Sequence, residues 1–258
     1  MIDREAILGY ARANSLDPFW VENDYLQHIV LECVFGSISS ELSLKGGTAL
    51  QKVYGLNRLS RDLDFNLSDS GLVNHFEKGI DAVNDFYDTS YQTPEKVRHG
   101  LGYTINIRGP SFGPLNAPHI MKATVNLQEK LALKPAFKSI NPSTIYKDPD
   151  LHTYSMLAMD MEEIFAEKVR ALLTRKSVEP RDLYDLKFMI DYGAKVNPLL
   201  IRDKLAFDHS KFSIKSFRAR VREVKLHWEK DLSGIIRELP SYDEAATRVL
   251  DAVVQKME

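Results

Sequence analysis

Asp62 and Asp64 are separated by one apolar residue, Leu63, where a short strand, Leu63 to Leu67, begins. Side chains at i and i+2 of extended chain point to one face, so the two carboxylates stand side by side. Carboxylates this close repel and raise one another's pKa unless a cation lies between them. Mg2+ (or Mn2+) relieves that repulsion and accepts carboxylate oxygens readily. Upstream, Gly46-Gly47 follows the short strand Leu42-Ser43-Leu44 and precedes a helical stretch from Thr48 to Tyr54, closed by Gly55. Glycines let backbone N–H groups approach phosphate oxygens, helped by the start of the following helix. Metal-assisted nucleotidyl transfer needs both parts: one holds the triphosphate, the other holds the metals. An Asp-x-Asp alone reads as a solvated strand face; its coupling to the glycine turn gives it chemical meaning.

A second constellation lies further on. Glu167-Lys168-x-x-Ala171-Leu172-Leu173-x-Arg175 precedes Arg181-Asp182-Leu183-Tyr184-Asp185-Leu186. On a helix starting at Asp160, with Glu163 completing a capping box, Ile164, Lys168, Ala171 and Arg175 share a face. A lysine in a small, apolar stripe is usually aimed at an anion, since burying it alone is expensive. Triphosphate is one candidate. The alternative is Asp182 or Asp185, at i and i+3 of the next helix, in which case Lys168 staples two helices together.

The elements that must position these residues are legible in outline. Asp17-Pro18 opens a helix over 18–38, and residues 71–88 are helical in pattern. From about 95 to 158, glycine and proline punctuate β-branched and aromatic runs such as Tyr103-Thr104-Ile105-Asn106-Ile107, the texture of strands and loops. Helices return at 160, then over 181–192, 213–236 and 242–257. The pattern divides the chain into an α/β half, 1–155, and a helical half, 156–258.

The 258 residues are 44% hydrophobic and 27% charged, enough for a sizeable core. The net charge of −2 suggests no polyanion partner by itself. Its distribution does: Lys96 to Lys147 holds eight Lys/Arg against Glu129 alone, a surplus of +7. Such a sector is a footprint for a polyanion or a solvated basic face. Cys33, the single cysteine, excludes an internal disulfide framework. No signal-peptide pattern opens the chain and no apolar run is long enough to span a bilayer, so a cytoplasmic protein is expected. The histidines show no metal-ligand spacing, and Ser111-Phe112-Gly113-Pro114 lacks the context of a nucleophile turn.

The blocks Lys45-Gly46-Gly47-Thr48-Ala49-Leu50 and Arg58-x-Ser60-x-Asp62-Leu63-Asp64-Phe65, followed by the Lys168 and Asp182 blocks, resemble the AbiEii-type nucleotidyltransferases. These are toxins of type IV toxin–antitoxin and abortive-infection systems, within the DNA polymerase β-like nucleotidyltransferase superfamily. The resemblance spans roughly residues 43 to 190. It implies an α+β fold: a polymerase β-like core with a small mixed sheet flanked by helices, then a C-terminal helical bundle that completes the active site. It implies Asp62, Asp64, Lys168 and Asp182 as catalytic, with Asp62 and Asp64 on the metal. Gly46, Gly47, Thr48, Arg58, Ser60, Lys168, Arg175 and Asp185 would bind the nucleotide. It further implies an NTP substrate, an RNA acceptor at the 3′ end of tRNA, and a cognate antitoxin. Lys122, Lys130, Lys134 and Lys138, in the basic sector, are the expected RNA contacts.

The chain departs from the superfamily in one respect. Many relatives add a third carboxylate from a later strand, but Lys96 to Gln128 contains no Asp or Glu, and Thr124 stands where that acid would sit. Two alternatives therefore stay open: an NTP-binding module without transfer, and a transferase acting on protein. Ser60 also has two readings. It bonds the glycine turn, or its phosphorylation would repel an incoming triphosphate.

Overall fold

Proline after an aspartate, glycine turns and alternating apolar runs set the element boundaries. A computed structural model describes residues 1–38, 40–111 and 117–258, so residues 112–114 of the Ser111 stretch lie outside the described residues. The chain forms two compact units: residues 1–130 with 135–159, and residues 131–134 with 160–258.

The first unit runs α1 (Arg4–Asn14), α2 (Pro18–Ser37), β1 (Leu42–Lys45), α3 (Gly46–Tyr54), β2 (Leu63–Leu67), α4 (Val73–Asp81), β3 (Thr89–Tyr91), β4 (Glu95–Val97), β5 (Gly100–Ile107), β6 (His119–Asn126), β7 (Ala136–Ile140), α5 (Ser143–Tyr146) and β8 (Tyr154–Ala158). The strands form one mixed eight-stranded sheet in the order β3-β5-β6-β2-β1-β8-β7, with β4 also on β5. β2 runs antiparallel to β1 and parallel to β6. Alternation decides the faces. Leu63, Phe65, Tyr103, Ile105, Met121, Ala123 and Val125 are buried; Phe65 meets Phe76 of α4 at 5.3 Å and Phe35 of α2 at 6.1 Å between ring centroids. Burial of each larger aliphatic side chain, methionine or phenylalanine among them contributes about 1.5–3 kcal/mol. The opposite face carries Asp64, Thr124 and Lys122.

Helix α2 is less amphipathic than its apolar spacing suggests. Every residue from Val21 to Leu31 is buried, including Glu22, Asn23, Asp24, Gln27 and His28. Buried polar groups need partners, and these find most of theirs in α3, α5, β6, β8 and the loops at Ser60 and Ser111. Asp24 pairs with Lys52 and accepts from Tyr146, and His28 Nδ1 lies 3.0 Å from the Tyr154 hydroxyl. Burial, and then the Lys52 charge, push the His28 pKa down to about 3, so it stays neutral.

The second unit holds α6 (Met161–Thr174), α7 (Pro180–Tyr192), α8 (Pro198–Phe207), α9 (Ile214–Val224), α10 (Trp228–Leu232) and α11 (Tyr242–Met257). Three expectations need correction. The capping box at α6 is half formed: Asp160 accepts from Glu162 N at 2.8 Å, but the Glu163 carboxylate instead receives Ala132 N and Leu133 N and pairs with Lys204. The pattern read as one helix over 213–236 breaks after Val224 into a 3₁₀ turn and α10, a break that no proline announces. The pattern over 71–88 is likewise α4 flanked by 3₁₀ turns. Among the described residues no helix is long and apolar enough to cross a membrane.

Candidate active site

Register brings the first motif together. Lys45 lies opposite Asp64 across β1 and β2, and Thr124 lies opposite Asp64 across β2 and β6. Gly46 opens α3 with φ +65°, a left-handed conformation that glycine adopts without steric cost. A Cβ there would stand 3.1 Å from Asp64 Oδ2, so the carboxylate lies against the start of the helix. At Gly47 a Cβ would come within 2.3 Å of Arg58 Nη2 and 3.3 Å of Ser60 Oγ. Glycine is thus favoured at 46 by the left-handed backbone and at 47 by the close approach of the Arg58 side chain. No Lys45 side chain caps α3, whose first N–H groups carry the positive end of the helix dipole.

Thr48 ties this turn to the aspartates. The residue is 1% exposed, and its hydroxyl donates to the main-chain oxygen of Asp62 and lies 2.7 Å from Ser60 Oγ. Since one hydroxyl has one proton, Ser60 donates to Thr48 while Thr48 donates to Asp62. Ser60 is fixed at every polar atom: its N–H donates to Gln51 at 2.8 Å, and its carbonyl accepts from Asn23 at 3.0 Å and Gln27 at 3.1 Å. At 5% exposure it bonds the glycine turn's helix, the structural one of its two readings, and presents no free hydroxyl to a modifying enzyme. Arg58, also buried, lies along Gly47 and donates to Leu59 O at 3.1 Å.

Asp64 Oδ1 accepts from the Thr124 hydroxyl. The strand position where an added acid was sought thus holds a hydrogen-bond donor that orients Asp64. Among the described residues no group of three or more His, Cys, Asp or Glu could hold a metal ion. Two carboxylates still suit Mg2+ or Mn2+, which usually take one or two protein carboxylates and complete their shell with phosphates and water. Half-exposed Asp62 and Asp64 beside an uncapped helix start fit that donor set.

The second cluster is built within the helical unit. Lys168 Nζ lies 2.8 Å from Asp182 Oδ1 and 2.6 Å from Asp185 Oδ2, and Arg175 Nη1 lies 2.9 Å from Asp182 Oδ2. Both aspartates are fully buried, Lys168 is nearly so, and the Arg175 side chain is 40% exposed. Lys168 thus bridges α6 to two aspartates of α7, and Arg175 is the more accessible of the two cations.

The expected RNA contacts are all exposed. Lys122 lies on β6 and Lys138 on β7, four strand positions away, or about 19 Å. Lys130 and Lys138 belong to the first unit and Lys134 to the second.

Sequence reasoning passed over Asn23, Gln27, Gln51 and His119. Asn23 bonds Ser60 O and Arg61 O, and its Oδ1 accepts from His119 Nε2 at 2.8 Å. Burial pushes the His119 pKa down to about 4. The available signal was a run of polar residues inside an apolar helix.

Comparison with known proteins gives concordant findings. Residues 29–254 match the family model for the nucleotidyl transferase AbiEii toxin of type IV toxin–antitoxin systems. The fold is similar to that of MenT4, a nucleotidyltransferase toxin from Mycobacterium tuberculosis H37Rv, with a TM-score of 0.70 and 19% identity over 98% of this chain and 88% of that one. It is also similar to JHP933 from Helicobacter pylori, with a TM-score of 0.55 and 16% identity over 94% of each chain. The curated protein sequences give no match.

Proposed function

Because the chain belongs to the AbiEii family of nucleotidyltransferase toxins from type IV toxin–antitoxin systems, we propose that it transfers a nucleoside monophosphate from an NTP to RNA, with the 3′ end of tRNA as acceptor, and that this transfer arrests growth. The observation that carries the reading is the gathering of Gly46, Gly47, Thr48, Arg58, Ser60, Asp62 and Asp64 where the central strand β1 ends and its neighbour β2 begins.

In the reaction an acceptor hydroxyl oxygen attacks the α-phosphorus. One P–O bond forms, the bond to the bridging oxygen breaks, and pyrophosphate leaves with that electron pair. The hydroxyl proton passes to the carboxylate pair or to water. The start of α3, at Gly46 and Gly47, offers backbone N–H groups to the triphosphate. Asp62 and Asp64 would hold Mg2+ or Mn2+, which when bound neutralises charge on the phosphates. Thr48 fixes the backbone of Asp62, and Thr124 fixes the carboxylate of Asp64. Arg175 supplies an accessible cation for phosphate, while Lys168 and Asp182 hold the helices from which it projects. Asp185 acts through Lys168. Lys122, Lys130, Lys134 and Lys138 add long-range attraction for RNA, and a cognate antitoxin is a separate protein partner.

The test is incubation of the purified protein with each α-labelled NTP, in the presence of total RNA or of RNA-free cell extract. Label should enter RNA. Label in protein alone would move the acceptor to a side chain, and label in neither would contradict the reading.

A further inference from the structure

Within the first unit the fold separates Lys122 on β6 from Lys138 on β7, whereas the helical unit assembles a basic stripe of its own. From Lys211 to Arg222 the chain holds five Lys/Arg and no acid. Helix α9 buries Phe217, Val221 and Val224 at i, i+4 and i+7. That face fixes the helix's rotation and turns Lys215, Arg218, Ala219 and Arg222 outward, at i, i+3, i+4 and i+7. The three cations rise along one stripe at steps of about 4.5 and 6 Å.

What separates this stripe from single solvated lysines is that three cations without counter-charges share one face of one helix. Elsewhere in the unit Lys168, Arg170, Arg175, Lys187, Lys204, Lys225 and Arg248 stand in ion pairs. Arg220, on the flank of the same helix, pairs with Glu223 and donates to the carbonyls of Leu172 and Arg175. Among the described residues, Lys215, Arg218 and Arg222 pair with no acid, and neither do Arg202 and Lys211 at the head of the helix. Those last two line a cavity of about 620 Å³ with Ala206, His209, Ser210 and Phe212. It is shaped by the turn at His209, φ 54°, where α8 ends.

We propose that this face of α9, with the Arg202–Lys211 cavity at its head, docks the phosphate backbone of the RNA acceptor. The proposal rests on the transfer reading above and deepens it by naming where the RNA lies on the helical unit. Phosphate suits the surface better than a protein partner does. Ala219 is the apolar residue within the stripe, and the exposed Leu226 lies past its end, whereas a protein interface needs an apolar centre. Cations without aromatics along the stripe read charge and shape rather than sequence. Phe212 in the cavity offers one ring to a splayed base.

The experiment measures fluorescence anisotropy of labelled tRNA with the full-length protein across a potassium chloride series. It compares wild type with Lys215→Gln/Arg218→Gln/Arg222→Gln, and with Lys195→Gln/Lys230→Gln/Lys256→Gln, exposed lysines of the same unit. Three lost phosphate contacts should lower the log–log salt slope by about 2 to 3 and weaken binding about 50- to 150-fold at 150 mM salt. The control should keep the wild-type slope, and NTP binding by calorimetry should be unchanged in both. Equal slopes in the two triple variants would overturn the docking face while leaving the transfer reading intact. Wild type that binds no tRNA yet labels protein from NTP would overturn both. Competition by poly-glutamate as effective as that by RNA, at equal charge, would make the face a site for an acidic protein instead.

Discussion

Lys168→Met separates a helix staple from a nucleotide ligand. Methionine keeps the length of the apolar stem and removes the ammonium that faces Asp182 at 2.8 Å and Asp185 at 2.6 Å. Both carboxylates are fully buried, so neither can recover its charge stabilisation from water. Arg175 still faces Asp182 at 2.9 Å, so that carboxylate keeps one cation. Breaking a buried pair from one side costs about 3–5 kcal/mol, and the retained arginine puts this case near the lower end. About 3 kcal/mol corresponds to a fall of about 6–12 °C in Tm for a chain of this size. Lys168→Met/Asp185→Asn also removes the carboxylate that faced the ammonium at 2.6 Å and should regain most of that loss. Thermal melting, calorimetric NTP binding and label transfer are read on the same samples, with Asp185→Asn alone to show its own share. If Lys168 touches the triphosphate, the double variant melts near wild type yet binds NTP weakly and stays inactive. Recovery of transfer together with stability would reduce Lys168 to a staple. A Lys168→Met protein that melts with wild type would refute the electrostatic reasoning itself.

Asp62→Ala and Asp64→Ala should each cut transfer roughly a thousandfold or more while far-UV circular dichroism stays unchanged; near wild-type transfer by either would remove it from the site. Thr124→Asp places a third carboxylate against Asp64, so it should melt lower than wild type in EDTA and gain more from Mn2+ than wild type does; no Mn2+-dependent gain would count against a metal between these strands. Because the His119 pKa is about 4 when folded, against about 6.5 unfolded, the unfolded chain takes the proton first. Stability should therefore fall as pH drops from about 6.5 to about 4. His119→Gln, which keeps a donor to Asn23, should reduce that slope in urea denaturation, and an unchanged slope would place the titration elsewhere.

The parts of this structure that were legible in sequence depend on local rules. Asp17-Pro18 starts α2 as a cap and first-turn proline should, and Gly55 closes α3 in a left-handed conformation. The Gly46-Gly47 and Asp62/Asp64 motifs were legible because backbone approach admits little but glycine, and because strand alternation separates Asp64 from the core. What escaped depends on long-range packing. Thr124 could be placed opposite Asp64, but nothing local says that its hydroxyl bonds the carboxylate. The roles of Asn23, Gln27 and Gln51 follow from how α2 and α3 embrace the Ser60 loop, with Ser60 33 residues from Gln27 and 37 from Asn23 in sequence. Contiguous lysines over 96–147 looked like one surface because sequence does not reveal that β2, β1 and β8 lie between β6 and β7. Helix α1 and helix α8 were missed outright, the latter although Asn197-Pro198 carries the same start signal as Asp17-Pro18.

The most direct measurement of the central claim follows two labels through one reaction. Wild type and the Asp62→Ala/Asp64→Ala variant are each incubated with tRNA, Mg2+ and an NTP labelled either at the α- or at the γ-phosphate. Nucleotidyl transfer predicts that wild type moves the α-label to the RNA 3′ end and releases the γ-label as pyrophosphate, and that the double variant does neither. Retention of γ-label on RNA, or equal α-label incorporation by the double variant, would contradict it.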